Sequence, residues 1–129
     1  MLQSNQPITG TILVADDQTA NRELLEELLT TQGFKVITVA DGAAALEEST
    51  RSRPDLVILD VMMPHLNGFE VCERIKGNPD TYLVPVILIT ALSDKQDRLE
   101  GIKAGADDFL SRPVRSNRTA RSRTLTFET

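Results

Sequence analysis

A chain of 129 residues, 40% hydrophobic and 26% charged, has the material for one domain with one core and not for two. Its single cysteine, Cys72, excludes an internal disulfide and any multi-cysteine metal site. The net charge of −5 is unevenly placed: residues 1–113 carry 10 Lys/Arg against 18 Asp/Glu, whereas residues 114–129 carry 4 Arg against 1 Glu, so the acidic body argues against direct binding of nucleic acid.

No apolar run approaches the roughly 20 residues that span a bilayer, so no membrane partner is expected. The opening MLQSNQPITG lacks the basic and apolar regions of a signal peptide, which makes the cytoplasm the expected location. Residues 1–10, polar with Pro7 and Gly10, read as a leader. Thr11 to Ala15 form a short apolar strand that ends in Asp16-Asp17. Beyond Gln18-Thr19, a candidate helix cap, Ala20 to Gln32 carries Leu24, Leu25, Leu28 and Leu29 at helical spacing and stops at Gly33. Phe34 to Val39 read as a second strand, and Asp41-Gly42 opens an alanine-rich helix to about Arg51.

Leu56-Val57-Ile58-Leu59 then runs without alternation into Asp60, and a turn of Met-Pro, Asn and Gly follows. A continuous apolar run bounded by turn signals suits a strand covered on both faces, as in a parallel sheet. Gly68 to Lys76 has Phe69, Cys72 and Ile75 at helical spacing before Gly77-Asn78-Pro79 breaks it. Pro85 to Ile89 is a fourth apolar run and ends in Thr90-Ala91. Ser93 to Gln96 has capping-box spacing, and a helix with Leu99 and Ile102 on one side runs to Ala104 before Gly105. Phe109-Leu110 is a short fifth strand closed by Ser111-Arg112-Pro113. Strands alternating with helices at this length argue a doubly wound α/β sheet.

Such a sheet brings the carboxyl ends of its strands to one edge, where ligands bind. Asp16, Asp17, Asp60, Thr90 and Arg112 are thereby expected in one pocket, although almost a hundred residues separate the first from the last. Three close carboxylates repel one another unless a cation intervenes, and a hard divalent ion such as Mg²⁺ takes a few carboxylates together with waters or phosphate oxygens. The ion would also neutralise charge on a phosphoryl group delivered to Asp60 and make that carboxylate a usable nucleophile. Taken singly, each residue has a plainer reading: a turn and helix cap for Asp16-Asp17, a strand-end hydroxyl for Thr90, a solvated charge for Arg112. Their joint placement at successive strand ends favours the chemical one.

These residues closely resemble the receiver domain of two-component response regulators over about residues 11–113. The likeness rests on Ile12 to Asp17 (ILVADD), Asp41-Gly42, Pro54 to Pro64 (PDLVILDVMMP), Asn67-Gly68, Leu88 to Ala91 (LITA) and Gly105 to Leu110 (GADDFL). The resemblance implies a flavodoxin-like, five-stranded parallel sheet of order 2-1-3-4-5. By the same resemblance Asp60 is the phosphoryl acceptor, and Asp16, Asp17, Asp60 and the backbone carbonyl of Met62 are the Mg²⁺ ligands. Thr90 is the hydroxyl that moves to the phosphoryl group, and Phe109 is the switch aromatic. The implied partners are a sensor histidine kinase or phosphotransfer protein as donor, and an output domain or downstream protein as recipient. The domain would catalyse only its own phosphorylation and dephosphorylation.

Two departures from the family pattern stand out. Arg112 occupies the place of the usual lysine and exchanges a compact ammonium for a planar fork. The tail, residues 114–129, lacks the stripe of a last amphipathic helix, so that helix is expected to be missing or altered. Loss of its cover would bare an apolar patch and invite self-association, with a homodimer as one outcome. Two other readings compete: a phosphorylation-independent pseudo-receiver module, and a Mg²⁺-dependent phosphatase of the haloacid-dehalogenase type. The latter usually has a second acid two residues after its nucleophile, where this chain has Met62. His65 reads as an ordinary loop histidine and Cys72 as a packing residue, while Met62 and Leu92 flank the site as candidates for slowing water attack on a phosphoaspartate.

Overall fold

The computed structural model describes residues 10–90 and 95–111, together with the backbone of residues 127–128. The leader up to residue 9, Leu92, Ser93, Arg112 and most of the tail lie outside the described residues.

Every apolar run anticipated as a strand forms one. In chain order the elements are β1 (Thr11–Ala15), α1 (Thr19–Thr31), β2 (Lys35–Val39), α2 (Gly42–Arg51), β3 (Leu56–Asp60), α3 (Gly68–Lys76), β4 (Val86–Thr90), α4 (Lys95–Ala104), β5 (Asp108–Ser111) and β6 (Phe127–Glu128). The sheet order is β2-β1-β3-β4-β5-β6. Its first five strands are parallel, in the expected order. The sixth is an addition: β6 runs antiparallel to β5, with Phe109 opposite Glu128 and Leu110 opposite Phe127. The tail that shows no helical stripe does alternate Leu125 and Phe127 with Thr126 and Glu128, and that period of two is the signal for an edge strand.

Side-chain alternation along the strands makes two cores. One face of the sheet carries Leu13, Val57, Leu59, Leu88 and Phe109 and packs against α2, α3 and α4 through Ala45, Val71, Cys72, Ile75 and Ala104. The other face carries Ile12, Val14, Ile58, Ile87, Ile89 and Leu110, with Leu25 and Leu29 of α1 upon it. Ile87, Ile89 and Leu110 of this face are buried; the expected loss of a last helix falls on residues outside the described ones.

Two local expectations need correction. Gln18 is the N-cap residue of α1, but its side chain makes no capping hydrogen bond, while its backbone N–H donates to Asp16 Oδ1. In α4, Leu99 and Ile102 do share a side, but that side faces outward; the buried positions are the small Gly101 and Ala104, which let the helix lie close to Leu88 and Phe109. α2 and α3 start where Asp41 and Asn67 cap them, the latter in a reciprocal capping box with Glu70.

Candidate functional site

The register of adjacent strands sets the site. Ala15 of β1 pairs with Leu59 of β3, so Asp16 and Asp60 follow on neighbouring strands at the same carboxyl edge. Asp16 is fully buried, Asp60 nearly so, and Asp17 is exposed. Each of the three acids offers an oxygen within 4.8 Å of the others, close enough together to hold a metal ion.

The backbone on both sides of this group is held. The Asp16 N–H donates to the Val39 carbonyl at 3.2 Å, and one Asp16 carboxylate oxygen, Oδ1, accepts the Gln18 N–H at 2.9 Å. Asp60 uses the same device on the next strand, where its Oδ1 accepts the Met62 N–H at 3.3 Å. The Val61 N–H donates to Ile89 of β4, and the Val61 carbonyl accepts from both Met63 and Gly68, which folds the loop after Asp60 tightly back on the strand. Gly68 is required there, since a Cβ on it would stand 2.5 Å from the Asp60 carbonyl oxygen. His65 takes a φ of 67° in this loop, a left-handed conformation that histidine enters more readily than most residues, which agrees with its reading as a turn residue.

The second oxygen of Asp16, Oδ2, is buried and has no hydrogen-bond partner among the described residues. An ionised oxygen in that position costs several kcal/mol unless something compensates it, roughly as for any buried unpaired charge. The donor set is all oxygen, with two acids buried and one open to solvent, and it fits a hard divalent ion that keeps part of its water shell.

An open cleft of about 960 Å³ leads to Asp60 and is lined by Asp17, Gln18, Asn21, Met62, Asn67 and Asp97, among others. Met62 is 73% exposed at its rim. Thr90, buried at the end of β4, sits one residue beyond Ile89, the register partner of Asp60. Phe109 lies on β5 opposite Leu88 and is buried, with the Arg98 guanidinium 5.2 Å from its ring centroid. Asp16, Asp17, Asp60 and Thr90 thus gather at one sheet edge as expected, and Phe109 sits behind α4. Arg112 and Leu92 fall outside the described residues.

Three contributors were not legible as site residues. Asp97 reaches the cleft from α4, Arg22 reaches back from α1 to the Asp16 carbonyl, and Gly101 makes room for the Phe109 ring. An isolated glycine inside a helical pattern is a usable signal of close packing, and it was present at Gly101. Asp97 and Arg22 carry no such mark, because charged residues on helices are mostly solvated.

The model of the response regulator receiver domain family matches residues 12–122. The chain is 47% identical over 107 residues to response regulator PleD of Caulobacter vibrioides, which covers 83% of this chain and 24% of that protein. The chain therefore spans about a quarter of that relative's length. Among solved structures it is similar to the signal receiver domain of a signal transduction histidine kinase from Syntrophus aciditrophicus, with 39% identity, a TM-score of 0.76, and 82% and 80% of the two chains covered. It is also similar to the receiver domain of sensor histidine kinase PA1611 from Pseudomonas aeruginosa PAO1, solved with a magnesium ion coordinated in its active site cleft. That likeness has 30% identity, a TM-score of 0.76, and 84% and 88% coverage.

Proposed function

The chain belongs to the response-regulator receiver family, phosphoryl-accepting signalling domains rather than classical enzymes, and on that premise we propose that Asp60 is its phosphoryl acceptor. The observation that carries this reading is the clustering of Asp16, Asp17 and Asp60 at the strand edge, with Asp16 Oδ2 buried there and unpartnered among the described residues.

Asp16, Asp17, Asp60 and the Met62 carbonyl are the proposed Mg²⁺ ligands. Bound there, the ion would offset the carboxylate charge and that of the incoming phosphoryl oxygens. An Asp60 carboxylate oxygen attacks the phosphorus of a donor phosphohistidine or small acyl phosphate; the P–O bond to Asp60 forms, the bond to the donor breaks, and the donor takes the electron pair. Water later attacks the same phosphorus and returns Asp60 to carboxylate. The cleft admits donor and water from the solvent side, while the buried floor holds the nucleophile in one orientation.

Thr90 is the proposed hydroxyl that turns to a phosphoryl oxygen, Arg112 the cation in the usual lysine's place, and Phe109 the aromatic that follows Thr90. A new group of about −1.5 to −2 charge with strong acceptor oxygens is sufficient reason for such a rearrangement. The donor is a sensor histidine kinase or phosphotransfer protein; the recipient is an output domain, a downstream protein or a second copy of this chain. Leu99 and Ile102, exposed on α4, give the recipient surface its apolar component. The proposed receiver unit is residues 11–113, and a cytoplasmic location goes with this role. Among the described residues no helix is long and apolar enough to cross a membrane. No observation favours the phosphatase reading, which lacks its second acid at Met62, or the phosphorylation-independent module, since the acid group is complete.

Borohydride reduction of the protein after exposure to acetyl phosphate tests the assignment. An acyl phosphate at Asp60 is converted to homoserine at that position, which peptide mapping detects. Homoserine at another aspartate, with Asp60 intact, overturns it.

A further inference from the structure

Arg22 lies at the fourth position of α1, four residues after Gln18. Helical side chains lean toward the helix N-terminus, so a long side chain here reaches back over the turn that leaves β1. Its Nη1 donates to the Asp16 carbonyl at 2.8 Å and its Nη2 to the Thr19 hydroxyl at 3.1 Å. A cation near a helix N-terminus opposes the macrodipole, and the first turn of α1 carries no acid to balance it. These two bonds are what the position gains in exchange.

With this contact Asp16 is fixed at three atoms: its N–H by Val39, its carbonyl by Arg22 and its Oδ1 by Gln18. Of its polar atoms only Oδ2 is left buried without a partner among the described residues. Val39 and Gln18 contribute backbone N–H or carbonyl groups that any residue supplies; Arg22 acts through its side chain. We propose that Arg22 is a positioning residue for the cation site, its guanidinium fork locking the β1–α1 turn so that Asp16 Oδ2 is presented to the ion. The inference rests on the Mg²⁺ reading above. It concerns geometry rather than charge, because the positive guanidinium by itself repels a divalent cation.

That opposition of signs supplies the test. Mg²⁺ affinity is measured by calorimetry or amide NMR for the wild type, Arg22→Lys and Arg22→Gln, together with hydrogen exchange at the Gln18 amide in the absence of metal. Positioning predicts that both variants bind Mg²⁺ about tenfold more weakly, the size seen when a partner orienting a ligand is lost, and that Gln18 exchanges faster in both. Thr19→Ala, which removes the acceptor of Nη2, moves both readouts in the same direction by less. Wild-type affinity in Arg22→Lys with tighter binding in Arg22→Gln shows a charge effect alone and overturns the proposal, as does equal affinity in all three. A wild type that binds no Mg²⁺ overturns the cation site itself, and with it this role.

Discussion

The ring of Phe109 occupies the space in which Gly101 would carry a side chain: a Cβ at position 101 would stand 2.5 Å from Phe109 Cε1 and 2.9 Å from Leu88 Cδ1. Helix α4 thus approaches β5 through a missing methyl, and Arg98 lies over the same ring one turn earlier. The ring of the proposed switch aromatic is thus packed between the Arg98 guanidinium and a stretch of helix without a side chain.

Helix propensity alone would make Gly101→Ala stabilising by about 0.8–1 kcal/mol. The contact predicts the opposite sign, a loss of about 1–3 kcal/mol from overpacking. Urea unfolding decides between them. In a Phe109→Leu background the cost of Gly101→Ala shrinks, so a double-mutant cycle shows coupling rather than additivity.

Gly68 has a stricter reason to lack a side chain, since its neighbours are the Asp60 carbonyl oxygen at 2.5 Å and Val61 Cα at 2.8 Å, both backbone. Gly68→Ala is expected to cost about 3 kcal/mol, within the range of severe steric substitutions, and to weaken Mg²⁺ binding through displacement of Asp60. Gly77→Ala, whose Cβ meets the Glu73 carbonyl oxygen at 3.2 Å and that of Arg74 at 3.9 Å, serves as the control and costs less.

Much of this arrangement was legible in the sequence, and the exceptions share a cause. β1, β3 and β4 were readable because each is an apolar run that ends at a polar residue, and parallel pairing then forces Asp16, Asp60 and Thr90 to one edge. α4 misled because its apolar residues, Leu99 and Ile102, point outward while glycine and alanine make the contact. Arg22 and Asp97 were hidden because a charged residue facing a turn or cleft has the same local pattern as one facing water. β6 was hidden because two residues pairing with the preceding strand leave only a brief alternation as a trace.

Burial pushes the Cys72 thiol up from 9.0 to about 11, against a smaller opposing effect of Lys76. The folded protein therefore keeps its proton where the unfolded chain loses it. The contribution to stability is complete below about pH 9 and is lost as pH rises toward 11. Stability of the wild type should fall across that window with a slope that Cys72→Ala lacks. At pH 8, alkylation of the native thiol should be far slower than in urea.

Met62 stands 73% exposed at the cleft rim, two residues beyond Asp60. If its apolar side chain hinders water, Met62→Asn shortens the lifetime of the phosphorylated state several-fold, as followed by loss of the adduct in mass spectra. An unchanged lifetime removes that role from Met62.

Intact-mass analysis after incubation with acetyl phosphate, with and without Mg²⁺, tests the central claim most directly when run on the wild type and on Asp60→Asn. A single phosphoryl adduct that needs Mg²⁺ and vanishes in Asp60→Asn is the predicted result. An adduct of equal yield in the variant, or none on folded wild type with Mg²⁺ bound, would contradict it.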